Sequence, residues 1–363
     1  MSNSACKHIY DCIKIQSITN ASSLLDVQWQ DLYTLAKRQG VLAIVWDEVT
    51  KLPIEQQPSK NLKLRWALSA EQIEKRYRKQ SASASELAQI YGEQGIKVIV
   101  LKGLAISGYY PVPEHRECGD LDCFLASHKD NGEFVCRYED GNVIAERVGA
   151  KVERDFYKHS HINFKGLMVE NHAFCTAVRG SKDRKALERH LQHLLATKPS
   201  TPIEGTHLLR PCADFNALFL TAHSFGHFLT EGIKLRHILD WALLLKAEQE
   251  SINWAEFYAW CDRMHYTKFV DALTAISVEY LGLEISNPLI HTHSDLRDKV
   301  LEDVLYSKNS IHNTGASKGK KRMMIIRNKL LGSWKYRELY EKSAFVDTLQ
   351  MVLAFFVERK PKI

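Results

Sequence analysis

The sequence lacks several features that would place it in a specialised class of protein. Its eight cysteines are scattered and none forms a CxxC pair, which argues against a disulfide framework and against a structural zinc site. No apolar run approaches the roughly 20 residues of a membrane span. The run Met351 to Val357 is interpreted as the buried face of a last helix. No low-complexity tract or internal repeat is present.

The first residues, MSNSACKHIYDCIKI, contain neither an apolar segment nor a cleavage site, so we expect no secretory signal. Because the cysteines are interpreted as reduced thiols, we expect a soluble, cytoplasmic protein without a membrane partner. Apolar residues make up 45% and charged residues 25% of the chain, which is an ordinary globular composition. The net charge of +6 is mildly basic and suits an anionic ligand.

The length of 363 residues predicts two or three domains. Residues 1–95 are predicted to be helical, with apolar residues at helical spacing from Leu25 to Val49, a break at Gly40, and one long helix over Lys60 to Glu93. Residues 176–363 are predicted to form a second helical domain. Its expected helices are Asp183 to Thr197, Asp214 to Leu229, Lys234 to Glu250, Trp254 to Met264 and Thr267 to Leu281, with about three more after Asp295.

The pattern changes between residues 96 and 175, where strands are predicted. Lys97 to Leu101 (KVIVL) is an unbroken, β-branched run of the kind found in buried strands, and Leu121 to Leu125 alternates as a second strand does. The other expected elements are a helix over Asn131 to Val148, strands at Lys151 to Arg154, His161 to Phe164 and Leu167 to His172, and a hairpin turn at Gly166. The predicted fold is α+β and mostly helical, with a small mixed sheet between helical flanks.

The motif GDLD begins the second predicted strand, sixteen residues after the glycine of a Lys-Gly turn. Residues two apart on a strand point to the same side, so Asp120 and Asp122 would project together. Two neighbouring carboxylates repel each other unless a cation lies between them, and Mg²⁺ is a hard ion that takes oxygen ligands together with substrate phosphates. Glu170, on a later strand, would bridge the metal and act as a base for an incoming hydroxyl.

Groups that suit phosphates surround this motif. Gly103 would let a polyphosphate approach the first turn, and Gly119 would let the backbone turn tightly before Asp120. A helix after Gly103 would direct its amide groups at that phosphate. Lys102 and Arg116 would supply the positive charge that phosphoryl oxygens need. An isolated DxD pair is common on solvated strand faces. Here the order of strand, Lys-Gly turn, helix, loop, GDxD strand and later glutamate favours a functional site over a solvated pair.

That order is the layout of a nucleotidyltransferase core. The segment VLKGLAISGYYPVPEHRECGDLDCFL resembles the uncharacterised nucleotidyltransferase family, relatives of the DNA polymerase beta-like nucleotidyltransferases, in its lysine-glycine turn, YP-x-P loop, arginine and GDxD strand. The later VENH resembles the family's strand with a glutamate and a histidine. The segment LFLTAHSFGHFLTEGIKLRHILDWALLL resembles its helical segment, whose matching positions here are His223, His227, Leu235, Arg236 and Asp240. The resemblance extends from about Val98 to Leu245.

The resemblance implies a nucleotidyltransferase fold, dependence on Mg²⁺ (or Mn²⁺), an NTP such as ATP as substrate, and transfer of a nucleoside monophosphate to an acceptor hydroxyl. The acceptor stays open between a small molecule, a protein side chain and an RNA end. The wider superfamily usually has glycine-serine at the first turn, whereas this chain has Lys102-Gly103. The missing serine supports an alternative, a non-catalytic module that binds a nucleotide or a partner, whereas the three carboxylates oppose it.

Two pairs of residues four apart lie in the helical part of the resemblance. His223 and His227 share a helix face, but HSFGH lacks the glutamate of a zinc protease motif. The alternatives for this pair are a contact to the triphosphate or base and simple helix packing. Arg236 and Asp240 are predicted to form an intrahelical ion pair, or Arg236 binds the substrate phosphates.

His159 and His161 alternate along a strand with Glu170 nearby in the predicted sheet. A second metal and a contact to the acceptor are both open for this pair.

The stretch 304–337 contains no acidic residue. Its basic residues are Lys308, Lys318, Lys320, Lys321, Arg322, Arg327, Lys329, Lys335 and Arg337. This pattern is typical either of a surface that contacts phosphate or RNA or of a solvated helix face. It adds some weight to RNA as the acceptor.

Overall fold

The computed structural model describes residues 9–10, 12–13, 28–154, 156–306 and 318–349. The predicted apolar run Met351 to Val357 lies outside these residues. The fold is α+β and mostly helical, with one mixed sheet between helical N-terminal and C-terminal regions, as predicted. The division into domains at residues 95 and 175 stays a prediction.

Three α-helices precede the sheet between residues 28 and 96. Helix α1 (Trp29–Gln39) ends at Gly40, whose left-handed backbone (φ 70°) confirms the predicted break, and α2 (Leu42–Lys51) follows. Helix α3 (Lys60–Gly92) is continuous over 33 residues. It is rich in alanine, glutamate, lysine and glutamine, and no proline or interior glycine interrupts it.

Eight short strands form the sheet within the described part of the chain. They are β1 (Lys97–Val100), β2 (Leu121–His128), β3 (Phe134–Cys136), β4 (Lys151–Glu153), β5 (His159–Phe164), β6 (Leu167–His172), β7 (Thr201–Pro202) and β8 (Leu209–Arg210). Their order is β4-β5-β6-β2-β1-β8-β7, and β3 pairs with the end of β2. Strand β2 is antiparallel to β1 and parallel to β6, and β5 and β6 form the hairpin predicted at Gly166.

The short helix predicted after β1, α4, is a single turn (Leu104–Ser107). One local prediction was wrong in detail. The predicted helix over Asn131 to Val148 is divided into β3 and α5 (Tyr138–Arg147), because residues 134–136 pair with the end of β2 and satisfy their backbone groups there. Pairing of this kind depends on tertiary contacts that local propensity does not reveal.

After β6 the chain is mainly helical, with β7 and β8 between the first two helices, and the predicted helices agree with the observed ones within a few residues. The described helices are α6 (Lys182–Thr197), α7 (Ala213–Thr230), α8 (Leu235–Glu248), α9 (Trp254–Met264), α10 (Thr267–Leu281), α11 (Arg297–Tyr306) and α12 (Lys318–Leu331), and a π-helical turn follows at Lys335–Tyr340. None of the helices in the described ranges is both long enough and apolar enough to cross a membrane.

Both faces of the sheet are buried. Val98, Val100 and Leu125 pack in one cluster with the end of α3, whereas Ile99 and Phe124 belong to a larger cluster that contains α1, α2 and the C-terminal helices. Burial on both faces explains why KVIVL is an unbroken apolar run. The larger cluster lies on the Phe124 face of β2, the face from which the site is built.

The basic stretch 304–337 is described only in part. Lys329 is buried, with Nζ 2.8 Å from Oδ2 of Asp347, and Nζ of Lys335 lies 2.6 Å from Oδ1 of Asp303. These two lysines therefore stabilise the fold. A nucleic-acid contact stays a prediction for the other basic residues of the stretch.

Candidate functional site

The sheet register aligns five polar side chains on one face of β2, β6 and β5. Asp122 pairs with Glu170 across the parallel strands β2 and β6, and Glu170 pairs with His161 on β5. In the next row His172 pairs with His159. Residues in register point to the same face of a sheet. The predicted partners Asp122 and Glu170 are therefore direct neighbours, and three histidines join them.

Lys102 places its positive charge between the two aspartates. Its Nζ lies 2.9 Å from Oδ2 of Asp122 and 3.4 Å from Oδ1 of Asp120. Burial opposes charge on both Lys102 and Asp122, but their mutual attraction is larger. It raises the pKa of Lys102, and together with His172 it holds the pKa of Asp122 well below its usual value. The ammonium of Lys102 therefore lies between the two aspartates, and the metal ion that their spacing indicates stays a prediction.

His172 is the histidine of the VENH segment, and the sequence assigned it no role. It is fully buried, and its Nε2 lies 3.2 Å from Oδ1 of Asp122 and 3.5 Å from Oε2 of Glu170. Its Nδ1 lies 2.9 Å from the carbonyl oxygen of Phe174, so Nδ1 donates a hydrogen bond there. This bond orients Nε2 towards the two carboxylates.

His159 and His161 lie against the other side of Glu170. Nδ1 of His159 is 3.3 Å from Oε2 of Glu170, and Nε2 of His161 is 3.6 Å from Oε1. The two imidazole centroids are 4.8 Å apart. Burial lowers the pKa of His159 to about 3, although Glu170 opposes this, so its ring is neutral at ordinary pH. Glu170 therefore has imidazoles on both sides.

Gly103 and Gly119 differ in whether their backbone conformation requires glycine. Gly103 has φ 65° and ψ −110°, a conformation that favours glycine, but the helix that follows it is one turn long and contributes little dipole. Gly119 does not have a positive φ, and a Cβ there would meet no atom of the described residues. The predicted tight turn at Gly119 therefore does not require glycine.

Arg116 and Asp240 form a buried ion pair between the loop before β2 and helix α8. Nε and Nη2 of Arg116 donate to the two carboxylate oxygens at 2.8 Å and 2.7 Å, and the hydroxyl of Tyr110 donates to Oδ1 at 2.6 Å. The predicted ion pair within α8 was therefore wrong. Arg236 instead donates to the carbonyl oxygen of Glu117 at 2.6 Å, and both carboxylate oxygens of Asp240 are already bonded by Arg116 and Tyr110.

Three basic side chains that include Arg236 gather near this loop. Nη2 of Arg76 lies 3.7 Å from Oε2 of Glu117. Burial, and then the charge of Arg236, lowers the pKa of Lys234, while Glu117 opposes the shift. Neither Arg76 nor Lys234 was identified from the sequence. Lys234 adjoins the LRHILD segment, but nothing in the sequence connects Arg76 on α3 with the site.

His223 and His227 lie on α7, and their ring centroids are 4.5 Å apart. Burial, together with the charge of Lys102, lowers the pKa of His223 well below its usual value. His223 also stacks on Phe219, and Nδ1 of His227 lies 3.4 Å from Oε2 of Glu231. The pair therefore lines the site and also takes part in packing.

A cavity of about 990 Å³ connects these groups. Its lining includes the residues predicted for the carboxylate cluster, the phosphate contacts and the helical segment, namely Asp120, Asp122, Glu170, Lys102, Gly103, Gly119, Arg116, His223, His227, Arg236 and Asp240. The basic residues Arg76 and Lys234 line it as well. The volume is at the upper end of the usual range for small-molecule sites.

The donor set beside the cavity fits a divalent cation. Ligand atoms of Asp122, Glu170 and His172 lie within 4.8 Å of one another. Asp120 is joined to this group through the ammonium of Lys102, and its side chain is 37% exposed. Carboxylate oxygens that converge on one point are the ligands Mg²⁺ prefers.

One comparison with known proteins gives a match. The family model described as uncharacterised nucleotidyltransferase matches residues 26–282, which is well over half of the chain. The match covers α1 to α10 and therefore all the site residues discussed above. No curated protein and no solved structure matches the chain.

Proposed function

The chain belongs to the uncharacterised nucleotidyltransferase family, and we propose that it transfers a nucleoside monophosphate from an NTP to an acceptor hydroxyl with a bound Mg²⁺. The observation that carries this proposal is the register of β2 and β6. It sets Asp122 directly beside Glu170, and the ammonium of Lys102 contacts both Asp122 and Asp120. The three carboxylates repel one another at the wall of a large cavity, and this repulsion destabilises the fold unless cations bind between them.

Asp120, Asp122 and Glu170 would hold Mg²⁺, with Mn²⁺ as the alternative. The ion, when bound, would neutralise the phosphate charge and polarise the phosphorus centre that the acceptor attacks. Nε2 of His172 lies within hydrogen-bonding distance of Asp122 and close to Glu170, so it would fix both carboxylates in place. Asp120 is the most exposed of the three carboxylates and would adjust to the bound nucleotide.

The triphosphate would lie against the basic side of the cavity. Arg76, Lys234 and Arg236 lie near Glu117, so three positive charges outweigh the charge of that carboxylate at this wall. Lys102 adds a fourth cation at the carboxylates. Guanidinium and ammonium groups in a cavity of this kind bind phosphoryl oxygens through charge-assisted hydrogen bonds. These cations take the place of the serine that the wider superfamily uses at the first turn.

The acceptor hydroxyl would approach Glu170, which is the natural base because it lies beside Asp122 and its side chain is only 18% exposed. Such a carboxylate accepts the proton that the hydroxyl loses as the new bond to the α-phosphorus forms. Pyrophosphate leaves towards the basic wall. The chemical class of the acceptor is left open by this arrangement.

The loop before Asp120 is held by helices from two parts of the chain. Arg116 is bound by Asp240, and Arg236 donates to the carbonyl of Glu117, both from α8. Nε2 of Gln80 on α3 donates to the carbonyl of Gly119 at 2.6 Å. Both carboxylate oxygens of Asp240 are already bonded, so Arg116 and Asp240 act as positioning residues that fix the start of β2.

The test is Mg²⁺-dependent binding of the four NTPs, measured as a thermal shift of the intact chain. A ligand that binds only the native state raises the melting temperature by mass action. We expect one NTP to raise it in the presence of Mg²⁺, and the double variant Asp120→Asn/Asp122→Asn to lose the effect. Asp130→Asn, an exposed carboxylate just beyond the same strand, is the matched control and should respond as the wild type does.

A cooperative melt without a shift for any NTP would overturn the proposal. An NTP shift that persists in the double variant would place the nucleotide elsewhere. If an NTP binds, transfer of the label from an α-labelled NTP to candidate hydroxyl acceptors, with release of unlabelled pyrophosphate, distinguishes an enzyme from a module that only binds nucleotides.

A further inference from the structure

We propose that His159, His161 and Glu170 form a binding site for a transition-metal ion of the Zn²⁺ class, next to the carboxylates assigned to Mg²⁺. This inference goes beyond the proposed function, since it requires neither an NTP nor transfer. It concerns two histidines that the proposed transfer does not use. Glu170 is the one residue common to both sites.

The sheet register creates the cluster. His159 and His161 are two apart on β5 and so share a face, and the antiparallel pairing with β6 sets Glu170 directly opposite His161. One suitable atom from each of the three residues lies within 4.8 Å of the others. Three groups fixed on adjacent strands of a buried sheet are held more rigidly than groups on loops.

His159 lies within ion-pair distance of Glu170 but does not form a hydrogen bond with it. Nδ1 of His159 lies 3.3 Å from Oε2, yet it is a buried nitrogen that makes no hydrogen bond within the described ranges. His159 as a whole is only 8% exposed. A buried polar atom left without a hydrogen bond is unusual in a native protein and indicates a missing partner. That partner would lie within reach of Glu170, whose Oε2 is 3.3 Å away.

The types of ligand select the kind of metal. Two imidazoles and one carboxylate are the donors of many zinc sites that keep an open position, and imidazole nitrogen suits Zn²⁺ and its neighbours in the transition series. Mg²⁺ prefers oxygen and is bound poorly by imidazole. The His161 side chain is 35% exposed, which gives an ion a path from solvent. Asp120 and Asp122 offer only oxygen ligands, so the carboxylate site should prefer Mg²⁺ and the histidine site should prefer Zn²⁺.

An ordinary packing role explains less of the geometry. A packed histidine pair would place each ring nitrogen on a hydrogen-bond partner. Here His159 contacts His161 at 4.8 Å, His172 at 5.1 Å and Phe156 at 4.9 Å between ring centroids, and its Nδ1 stays without a hydrogen bond. Three imidazoles this close to one carboxylate are expected where a metal is bound.

The first experiment is calorimetric titration of the intact chain with Zn²⁺ in excess Mg²⁺, which keeps the oxygen site occupied. We expect one Zn²⁺ to bind, and His161→Ala to weaken it by at least about tenfold. His128→Ala removes an exposed histidine from the far end of β2 and should leave the affinity unchanged. Absence of Zn²⁺ binding, or equal affinity in His161→Ala, would overturn the proposal.

A second measurement needs no variant. Zinc-edge X-ray absorption of the wild-type complex counts imidazole ligands, and two are expected. One imidazole would assign the ion to Asp122, Glu170 and His172 instead, and none would assign it to carboxylates, so either result overturns the proposal.

The two proposals fail separately. In Asp120→Asn/Asp122→Asn the NTP shift should be lost while Zn²⁺ binding remains. In His161→Ala the NTP shift should remain while Zn²⁺ binding is weakened. Loss of Zn²⁺ binding in the aspartate variant would show that the ion uses the magnesium carboxylates.

Discussion

Arg116 binds Asp240 through two hydrogen bonds, from Nε at 2.8 Å and from Nη2 at 2.7 Å, and each side chain is 5% exposed. The two residues are 124 positions apart. The pair joins the loop before the GDLD motif to helix α8. Burial opposes charge on Arg116, but the charge of Asp240 outweighs it and raises the arginine pKa further above its usual value. The position of Asp120 therefore depends on the C-terminal helical region.

Asp240→Asn should destabilise the protein by about 3–5 kcal/mol, since it leaves a buried guanidinium without its counter-charge. Urea unfolding measures this change. The double variant Arg116→Met/Asp240→Leu should lose less stability than the sum of the losses in Arg116→Met and Asp240→Leu. Glu133→Gln, which breaks the exposed pair with Lys129, is the control and should cost less than about 1 kcal/mol. Additive single effects would show that the pair is not coupled.

His115 should make stability depend on pH. Its Nδ1 lies 2.7 Å from Oδ2 of Asp47 and its Nε2 lies 3.1 Å from Oε1 of Glu74. Burial opposes charge on the ring, but the bonds to both carboxylates raise its pKa above 6.5. The stabilisation is therefore complete below the unfolded pKa and is lost as the pH rises through the folded one.

His115→Gln should accordingly destabilise the protein more at about pH 5.5 than at about pH 9, measured by urea unfolding. His128→Gln is the control at the exposed end of β2 and should show no such dependence. An equal cost of His115→Gln at both pH values would contradict the assignment of charge to this histidine.

Lys102→Gln should lower stability in the absence of divalent ions and increase the response to Mg²⁺. The ammonium stands 2.9 Å from Asp122, so its removal leaves a buried carboxylate without its cation, at a cost of about 3 kcal/mol. Mg²⁺ would then bind without competition from the lysine. The rise in melting temperature from EDTA to Mg²⁺ measures this, with Lys129→Gln as the control. A smaller rise than in the wild type would show that Lys102 does not compete with the ion.

Gly103→Ala should destabilise the protein by about 1–3 kcal/mol through its backbone alone. A Cβ at this position would meet its nearest atom at 3.8 Å, an ordinary contact, so the cost arises from φ 65° and ψ −110°. Gly119→Ala is the matched control and should change stability by less than about 0.5 kcal/mol, because φ there is not positive. Equal stability of the two variants in urea unfolding would remove the strain argument.

The agreement between sequence and structure is best where local patterns are strong. The long helix α3, strand β1 and the helices α9 and α10 were predicted almost to the residue, because their signals are local. The signal is helix-forming composition without proline for α3 and an unbroken β-branched run for β1. Strand β3 was missed because its three residues pair with the end of β2, and no local pattern reveals that partner.

The candidate site was predicted unevenly for the same reason. Asp120, Asp122 and Glu170 followed from strand parity and from a resemblance whose motif surrounds them. The role of Asp240 did not, because helical spacing suggested Arg236 as its partner, whereas tertiary packing brings Arg116 closer. Arg76 was not identified, since 44 positions separate it from Asp120 and no motif joins them.

The sequence by itself determined the α+β class, the helices and the carboxylates, because these depend on periodicity, breakers and parity within short segments. Only the tertiary structure decided the register of β2, β6 and β5, which sets Asp122, Glu170 and His161 in one row. It also decided which side chains form ion pairs, such as Arg116 with Asp240 and Lys102 with Asp122. Pairings of this kind depend on segments far apart in the chain, and their distances are fixed only when the helices pack on the sheet.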